Sequence, residues 1–227
     1  MLPEMARPAR FVLIHGAGEG GWAWHLVADA LRGRGHDVAA PDLPAGDESA
    51  GLSTYADAVV DRIGGRGEVV VVGQSFACFT APLVSARVPT KLLVLLAPMI
   101  PSPGESADEW WGSTGHRAEV RVPDDVFDAY YHDVPRPLAE QALRRQRDHP
   151  SAAASREPWP LDAWPEVPTR VLLARDDRLF PPPFVQRIAR ERLGLTPDEI
   201  DGGHCVALSH PRELADRLES YVVPQSP

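Results

Sequence analysis

Short apolar runs alternate with longer stretches of helical character along most of this chain of 227 residues. The runs lie at residues 11–14, 38–40, 69–72, 92–96 and 171–173, and their continuous apolar character is typical of strands buried on both faces. The helical stretches are residues 22–34, 54–62, 75–87, 182–193 and 211–222. Because strands that alternate with helices form a sheet covered on both sides, we predict an α/β domain with a mostly parallel sheet.

This alternation stops between residues 97 and 168, where prolines are frequent and the apolar runs shorten. Aromatic residues accumulate in the same stretch: Trp110, Trp111, Tyr130, Tyr131, Trp159 and Trp164. We predict a core formed by residues 1–97 and 169–227, with residues 98–168 inserted as a lid. The alternative is a proline-rich surface excursion that its aromatic residues anchor to the core.

A serine stands where a strand pattern gives way to a helical pattern, in the segment Val-Val-Gly-Gln-Ser-Phe-Ala at residues 71–77. Strand, turn and helix are the context of a nucleophile elbow, which presents the serine hydroxyl on a strained turn. The residues two positions away on either side must then be small, as Gly73 and Ala77 are. Ser75 is therefore our candidate nucleophile, and the alternative is a serine that caps the helix.

A serine hydroxyl needs a base that removes its proton. His204 follows Asp-Gly-Gly on a loop after a short strand expected near residues 199–200, and a loop histidine can reach across the strand ends. The carboxylate that orients such a base should follow the last long strand, where Asp176 and Asp177 are adjacent. Neighbouring side chains point in different directions, so we expect one of the two to face His204 and favour Asp177. The order serine, aspartate, histidine is that of the α/β-hydrolases.

Acyl transfer also needs backbone amides that stabilise negative charge on the substrate carbonyl oxygen. We expect one from Phe76, directly after the serine, and one from Ala17 in the glycine-rich loop at residues 15–21. This loop lacks the lysine of a phosphate-binding loop and the spacing of a dinucleotide-binding one, so we predict no cofactor. The two cysteines have no metal-ligand spacing, so we predict no metal site.

Composition limits the partners of the chain. The net charge of -9, without a charged run, argues against nucleic acid, and no segment has the length of apolar residues that a membrane span needs. From the missing apolar segments we expect a cytoplasmic protein. From the serine chemistry we expect it to act on a small apolar ester. Trp110, Trp111 and Met99 are candidates for the wall of an apolar substrate pocket. Exposed apolar residues on the lid would favour a homodimer.

Four segments resemble the α/β-hydrolases, and more narrowly the small plant methylesterases and hydroxynitrile lyases. They are Phe-Val-Leu-Ile-His-Gly-Ala with the following Gly-Gly-Trp-Ala-Trp, Gly-His-Asp-Val-Ala-Ala-Pro-Asp-Leu-Pro at residues 35–44, the serine turn, and Gly-Gly-His-Cys-Val-Ala-Leu-Ser-His-Pro at 202–211. The resemblance leaves the lid unmatched. It implies a serine hydrolase with Ser75 as nucleophile, His204 as acid and base, and Asp177 as orienting carboxylate.

The same resemblance separates two reactions. The lyases carry a threonine after the first-strand histidine and a lysine after the catalytic histidine, where this chain has Gly16 and Cys205. Ester cleavage is therefore favoured over cyanohydrin cleavage. Cleavage of an amide, a lactone or a carbon-carbon bond by the same residues stays open, as does a ligand-binding receptor without turnover.

Two cysteines allow one further hypothesis. If the serine turn meets the histidine loop, Cys78 lies near Cys205, and the two thiols form a redox-sensitive pair. The simpler interpretation is that both thiols fill space in the core.

Overall fold

Six parallel strands form the centre of the molecule. The computed structural model describes residues 8–65, 67–147 and 150–222. The strands are β1 Arg10–Ile14, β2 Asp37–Ala39, β3 Val69–Gln74, β4 Thr90–Leu96, β5 Thr169–Ala174 and β6 Asp198–Ile200. Their order in the sheet is β2-β1-β3-β4-β5-β6, and every neighbouring pair is parallel. The predicted strands are all present, each within two residues of its predicted start.

Helices connect the strands and cover both faces of the sheet. They are α1 His25–Gly33, α2 Leu52–Ile63, α3 Ala81–Ser85, α4 Ala107–Ser113, α5 His116–Glu119, α6 Val126–Tyr130, α7 Arg136–Arg144, α8 Ala152–Arg156, α9 Pro182–Leu193, α10 Val206–Ser209 and α11 Pro211–Ser220. Within the described ranges, none of the helices is both long and apolar enough to cross a membrane.

Two of the predicted helices are each divided in the structure. The stretch 75–87 forms a 3-10 helix at Ser75–Cys78 and then α3, because Pro82 has no N–H to donate to the carbonyl of Cys78. The stretch 22–34 likewise begins as a 3-10 helix, Gly21–Trp24, before α1. The 3-10 helix Ser75–Cys78 directly follows the end of β3.

Strand side chains alternate between two apolar layers. In β1, Val12 and Ile14 pack with α2, α3 and α9, whereas Phe11 and Leu13 pack with α1 and α11 on the other face. All four side chains are buried, and each such burial stabilises the fold by about 1.5–3 kcal/mol. This two-sided burial explains why the strand sequences are continuously apolar.

Five short helices, α4 to α8, lie in the long connection from β4 to β5, which we call the β4–β5 segment (residues 97–168). Two buried tryptophans attach it to the rest of the molecule: Trp110 packs edge-on against Phe180 and Phe184, and Trp159 donates from Nε1 to the carbonyl of Phe79 at 3.0 Å. Among the described residues, only Val126 is a large hydrophobic residue that is exposed. The described part of this segment therefore exposes one large hydrophobic side chain, and the homodimer stays a prediction.

The strand order places a crevice between two neighbouring strand ends. β1 has β2 on one side and β3 on the other, so the chain leaves β1 and β3 in opposite directions. In parallel sheets, ligands bind outside the carboxyl ends of strands at such a reversal. The loop after Ile14 and the turn at Ser75 meet at this point.

Candidate active site

Ser75 lies on a strained turn at the carboxyl end of β3. Its φ of 53° is in the left-handed region, which non-glycine residues rarely adopt. A Cβ on Gly73 would lie 2.7 Å from the Cβ of Ala81 and 3.0 Å from the carbonyl oxygen of Ala77, so the turn needs a glycine there. The side chain of Ser75 caps neither helix that follows, and Ser75 lines a cavity.

His204 and Asp177 form a buried pair on the neighbouring strand ends. His204 Nδ1 lies 2.9 Å from Asp177 Oδ2, and both side chains are almost fully buried. The other oxygen of Asp177 accepts hydrogen bonds from the amides of Leu179 and Phe180, at 2.8 and 2.9 Å. Asp176, the alternative carboxylate, is exposed. Asp177 is therefore the carboxylate of the two that orients the histidine ring.

The surroundings of His204 favour its protonated form. Burial by itself lowers the pKa of His204, but attraction to Asp177, the hydrogen bond that this carboxylate accepts from the ring and the charge of Glu19 together raise the pKa above its ordinary value. The edges of Tyr130 and Phe180 pack against the ring, with centroids 5.6 and 5.3 Å away. The histidine is thus held in one orientation and is a stronger base than a free imidazole.

Two contacts that the sequence did not predict hold the loop of His204. Gln74 donates from Nε2 to the carbonyl oxygen of His204 at 2.9 Å. Asp133, from the β4–β5 segment, accepts a hydrogen bond from the amide of Gly203 at 2.7 Å. A Cβ on Gly203 would lie 2.7 Å from Asp133 Oδ1, and Gly202 has a φ of 118°, so both glycines are needed for this approach.

The loop after β1 is fixed beside Ser75 by a neutral histidine. Leu43 donates from its amide to His15 Nε2 at 3.1 Å, so His15 Nδ1 carries the proton and donates to the carbonyl of Gly16 at 3.0 Å. Burial lowers the pKa of His15, which agrees with this neutral form. A Cβ on Gly16 would lie 3.1 Å from the Cβ of Ser75, so the loop passes directly beside the serine. Ala17, the next residue, lines the cavity.

Glu19 is a second carboxylate in this site, and we did not predict it. Its Oε2 accepts a hydrogen bond from the amide of Gly16 at 3.3 Å, and the thiol of Cys205 lies 3.9 Å from its Oε1. Burial raises the pKa of Glu19, and attraction to His204 and these hydrogen bonds offset only part of that effect. The signal in the sequence is that Glu19 is the one residue of 16–21 that is neither glycine nor alanine.

The cavity at Ser75 has a volume of about 260 Å³. It is lined by Gly16, Ala17, Gly18, Glu19, Gln74, Ser75, Met99, Trp111, Val126, Tyr130, Tyr131, Gln146, Leu179, His204 and Cys205. Met99 and Trp111 therefore lie where we expected them. Trp110 does not: it is fully buried and packs edge-on against Trp111 and Phe180, so it supports the wall from behind. Phe76 is buried below the serine, where its ring stacks on Phe79.

A larger cavity of about 500 Å³ adjoins the first and does not contain Ser75 or His204. The two cavities share Gly18, Glu19, Tyr131 and Gln146. The larger one is more polar, with Asp42 and three arginines in its lining: Arg144, Arg145 and Arg147. Glu19 thus stands at the junction between an apolar cavity that holds the serine and a polar one.

The two cysteines are free thiols in different parts of the core. Cys78 packs in the layer with α2 and α3, and its thiol donates to the carbonyl of Gly73. Cys205 packs with Tyr131 in a separate cluster. Burial raises the pKa of both thiols, so both stay protonated, and this placement favours space filling over a redox pair. In the described part of the chain, no three His, Cys, Asp or Glu side chains are grouped so that they could hold a metal ion.

Comparison with known proteins agrees with these observations. The sequence model of the alpha/beta hydrolase family matches residues 11–217. A probable esterase of rice, Oryza sativa subsp. indica, is 35% identical over 129 residues, which are 52% of this chain and 48% of that protein. This match therefore spans about half the length of the relative. An alpha-hydroxynitrile lyase of Arabidopsis thaliana is 23% identical over 252 residues and is aligned with 95% of this chain and 98% of its own.

Among solved structures, polyneuridine aldehyde esterase is similar in fold. Its crystal structure superposes with a TM-score of 0.79 at 20% sequence identity. The superposition covers 95% of this chain and 99% of that one, so the two proteins share the whole architecture.

Proposed function

Because the chain belongs to the alpha/beta hydrolase family, as its motifs predicted, we propose that it is a serine hydrolase that cleaves small carboxylic esters through an acyl-enzyme. The observation that carries this proposal is the buried pair of His204 and Asp177, 2.9 Å apart, since His204 lines the same cavity as Ser75 on its strained turn. The esterase among the relatives supports ester cleavage.

In the proposed first step, His204 removes the proton of Ser75 while the serine oxygen attacks the ester carbonyl carbon. The imidazolium that forms is stabilised by Asp177, whose other oxygen is held by two backbone amides. His204 then gives the proton to the leaving alcohol. Water attacks the acyl-enzyme in the second half-reaction, with His204 again as the base, and releases the acid and free Ser75.

The negative charge on the carbonyl oxygen is stabilised in this proposal by the amides of Ala17 and Phe76. Two side chains support this role for Ala17, since His15 and Glu19 fix the Gly16 peptide that precedes it. Loss of one such donor costs about 2.7–4 kcal/mol in comparable sites. As proposed, the reaction uses only groups of the chain, the ester and water.

The cavity supports a small ester with an apolar part. Met99, Trp111, Val126 and Leu179 supply apolar wall, and we propose that the β4–β5 segment acts as a lid over Ser75. A volume of about 260 Å³ accommodates a short acyl chain together with a small alcohol.

Cyanohydrin cleavage is disfavoured even though a hydroxynitrile lyase is among the relatives. No lysine stands next to His204, where Cys205 lies instead. Lys91 is the chain's only lysine, and it lies at the start of β4, where it donates to the carbonyl of Val222. A departing cyanide would find no ammonium group in this cavity.

The test is hydrolysis of nitrophenyl esters of increasing acyl length by the wild type and by Ser75→Ala. We expect turnover that favours short acyl chains and falls by at least about a thousandfold in the variant. Nitrophenyl amides and lactones serve as comparison substrates for the other acyl bonds. A wild type that turns over none of these compounds would favour the ligand-binding receptor and contradict the proposal.

A further inference from the structure

The cavity at Ser75, which we call the catalytic cavity, has a lining whose charges are not balanced in sign. Glu19 is its only carboxylate, and none of the fifteen lining residues is a lysine or an arginine. The wall that a substrate contacts thus carries a carboxylate and neither a lysine nor an arginine.

Glu19 has weak hydrogen-bond partners for a carboxylate that lines a cavity. Its two contacts are a hydrogen bond of 3.3 Å from a backbone amide and a thiol at 3.9 Å, and both are long for a carboxylate acceptor. Within the ranges that the structure describes, it takes part in no salt bridge with a lysine or an arginine. Glu19 is half-buried, and carboxylates that are partly withdrawn from water are normally paired with a cation, so Glu19 has capacity for another donor.

Two of the three arginines of the adjoining cavity have other contacts. Arg147 pairs with Asp42 at 3.0 Å, and the guanidinium of Arg145 lies 4.9 Å above the ring of Trp22. These groups are exposed, so solvent screens their charges. The carboxylate at the junction therefore faces the catalytic cavity without a lysine or an arginine of its own, and His204 must be neutral when it accepts the proton of Ser75.

Glu19 is also close to the reacting groups. Its Oε2 and the Cβ of Ser75 both lie within 4 Å of the point where a Cβ on Gly16 would be. Cys205, which its other oxygen contacts, directly follows His204. A group bound at Glu19 is therefore only a few bonds away from an ester carbonyl held at Ser75.

We propose that Glu19 determines specificity by binding a protonated amine of the substrate, so that the preferred substrates are esters with an amino group two to four bonds from the ester. This inference rests on the proposed ester hydrolysis at Ser75 and names its substrate class. The ammonium N–H donates to the carboxylate, and the apolar wall holds the rest of the molecule. Burial raises the pKa of Glu19, and a bound ammonium group would lower it again because it favours the carboxylate form.

The experiment compares esters that differ only in charge. On the alcohol side, 2-(dimethylamino)ethyl butyrate is matched by 3-methylbutyl butyrate, in which a CH group replaces the protonated nitrogen. On the acyl side, methyl 4-(dimethylamino)butanoate is matched by methyl 5-methylhexanoate. For each pair, the ratio of kcat/KM for the amino ester to that for its carbon analogue is measured at neutral pH.

The variant is Glu19→Gln, which removes the charge and keeps an acceptor for the amide of Gly16. We expect the ratio to fall by about tenfold or more for at least one pair, as a lost charge-assisted hydrogen bond requires. The affected pair identifies whether the acyl or the alcohol part lies at Glu19. Both esters are measured on one preparation, so any loss of folded enzyme cancels in the ratio.

The matched control is Asp42→Asn, which removes the other carboxylate of the adjoining cavity. It should change the ratio by less than about twofold, because exposed paired charges contribute little. Ratios that Glu19→Gln leaves unchanged for both pairs, with hydrolysis still dependent on Ser75, would overturn this inference alone. Absence of hydrolysis of all four esters by the wild type would overturn it together with the proposed function.

Discussion

The sheet and the β4–β5 segment hold the site in different ways. Ser75, Asp177 and His204 follow β3, β5 and β6, and the ladders of a parallel sheet fix the positions of those strand ends. The described residues of the β4–β5 segment form no strand, and side chains attach the segment, through Trp110, Trp159 and the contact of Asp133 with the histidine loop.

We therefore expect substitutions in these two regions to have different effects. Residues at the strand ends are expected to govern the chemical step, because each of them meets the reacting atoms or orients one that does. Residues of the β4–β5 segment are expected to govern which substrate fits, how stable the fold is and how firmly the histidine loop is held. Paired variants in the two regions can test this division.

The largest effect on rate is expected at the carboxylate that orients His204. Asp177→Asn should lower kcat by about a thousandfold or more, because the amide no longer stabilises the imidazolium. Its neighbour provides the control: Asp176→Asn, at an exposed side chain, should stay within about threefold of the wild type. Equal losses in the two variants, measured with one nitrophenyl ester, would show that the wrong carboxylate has been assigned.

The adjacent tryptophans of α4 should separate stability from selectivity. Trp110→Ala removes a fully buried side chain and should lower the free energy of unfolding by about 3–5 kcal/mol in urea titration. Trp111→Ala removes cavity wall and should lower kcat/KM for bulky esters about tenfold more than for small ones. Should both ester classes lose rate equally in Trp111→Ala, this residue would not contact substrate.

A smaller effect is expected where the β4–β5 segment holds the histidine loop. Asp133→Ala leaves the amide of Gly203 without its acceptor and should lower kcat about tenfold, while KM changes less. Asp133→Asn keeps an acceptor oxygen at the same place and should restore most of the rate. Failure of this conservative variant to restore the rate would mean that the carboxylate acts by its charge and not by its hydrogen bond.

The smallest effect is a shift in pH dependence. His204 must be neutral to accept a proton, and its pKa is raised, so kcat/KM should fall as the pH drops through a value above 6.5. Two carboxylates face the ring, Asp177 and Glu19, while Tyr130 and Cys205 stay neutral because their pKa values are raised. Glu19→Gln removes one negative charge and should move this limb to lower pH. An unchanged limb would show that the charge of Glu19 does not affect the pKa of His204.

The sequence predicted the features that depend on one segment at a time. Continuous apolar runs identify the strands, and the small residues around Ser75 identify the strained turn, because both patterns arise from local backbone requirements. Spacing after β5 also favoured Asp177, which the structure places against His204. The divided helix at Ser75–Cys78 follows from Pro82, so the sequence contained that signal too.

The remaining contacts depend on distances between elements that are far apart in the chain. Asp133 meets Gly203 only because the β4–β5 segment folds back onto the last loop, and nothing near Asp133 in the sequence indicates this contact. The sequence does not indicate whether Trp110 or Trp111 reaches the cavity, because the packing of α4 alone decides this. The sequence shows Glu19 in its loop. That no lysine or arginine lines the cavity beside Glu19 is known only from the folded structure.

The most direct test of the account is the site of reaction with a fluorophosphonate, which labels only a serine activated by its neighbours. The wild type, Ser75→Ala and His204→Ala are treated alike, digested and mapped by mass spectrometry. The account predicts one adduct, on Ser75 of the wild type, no adduct in Ser75→Ala and strongly slowed labelling in His204→Ala. An adduct on another residue, or labelling of Ser75 at the same rate without His204, would contradict it.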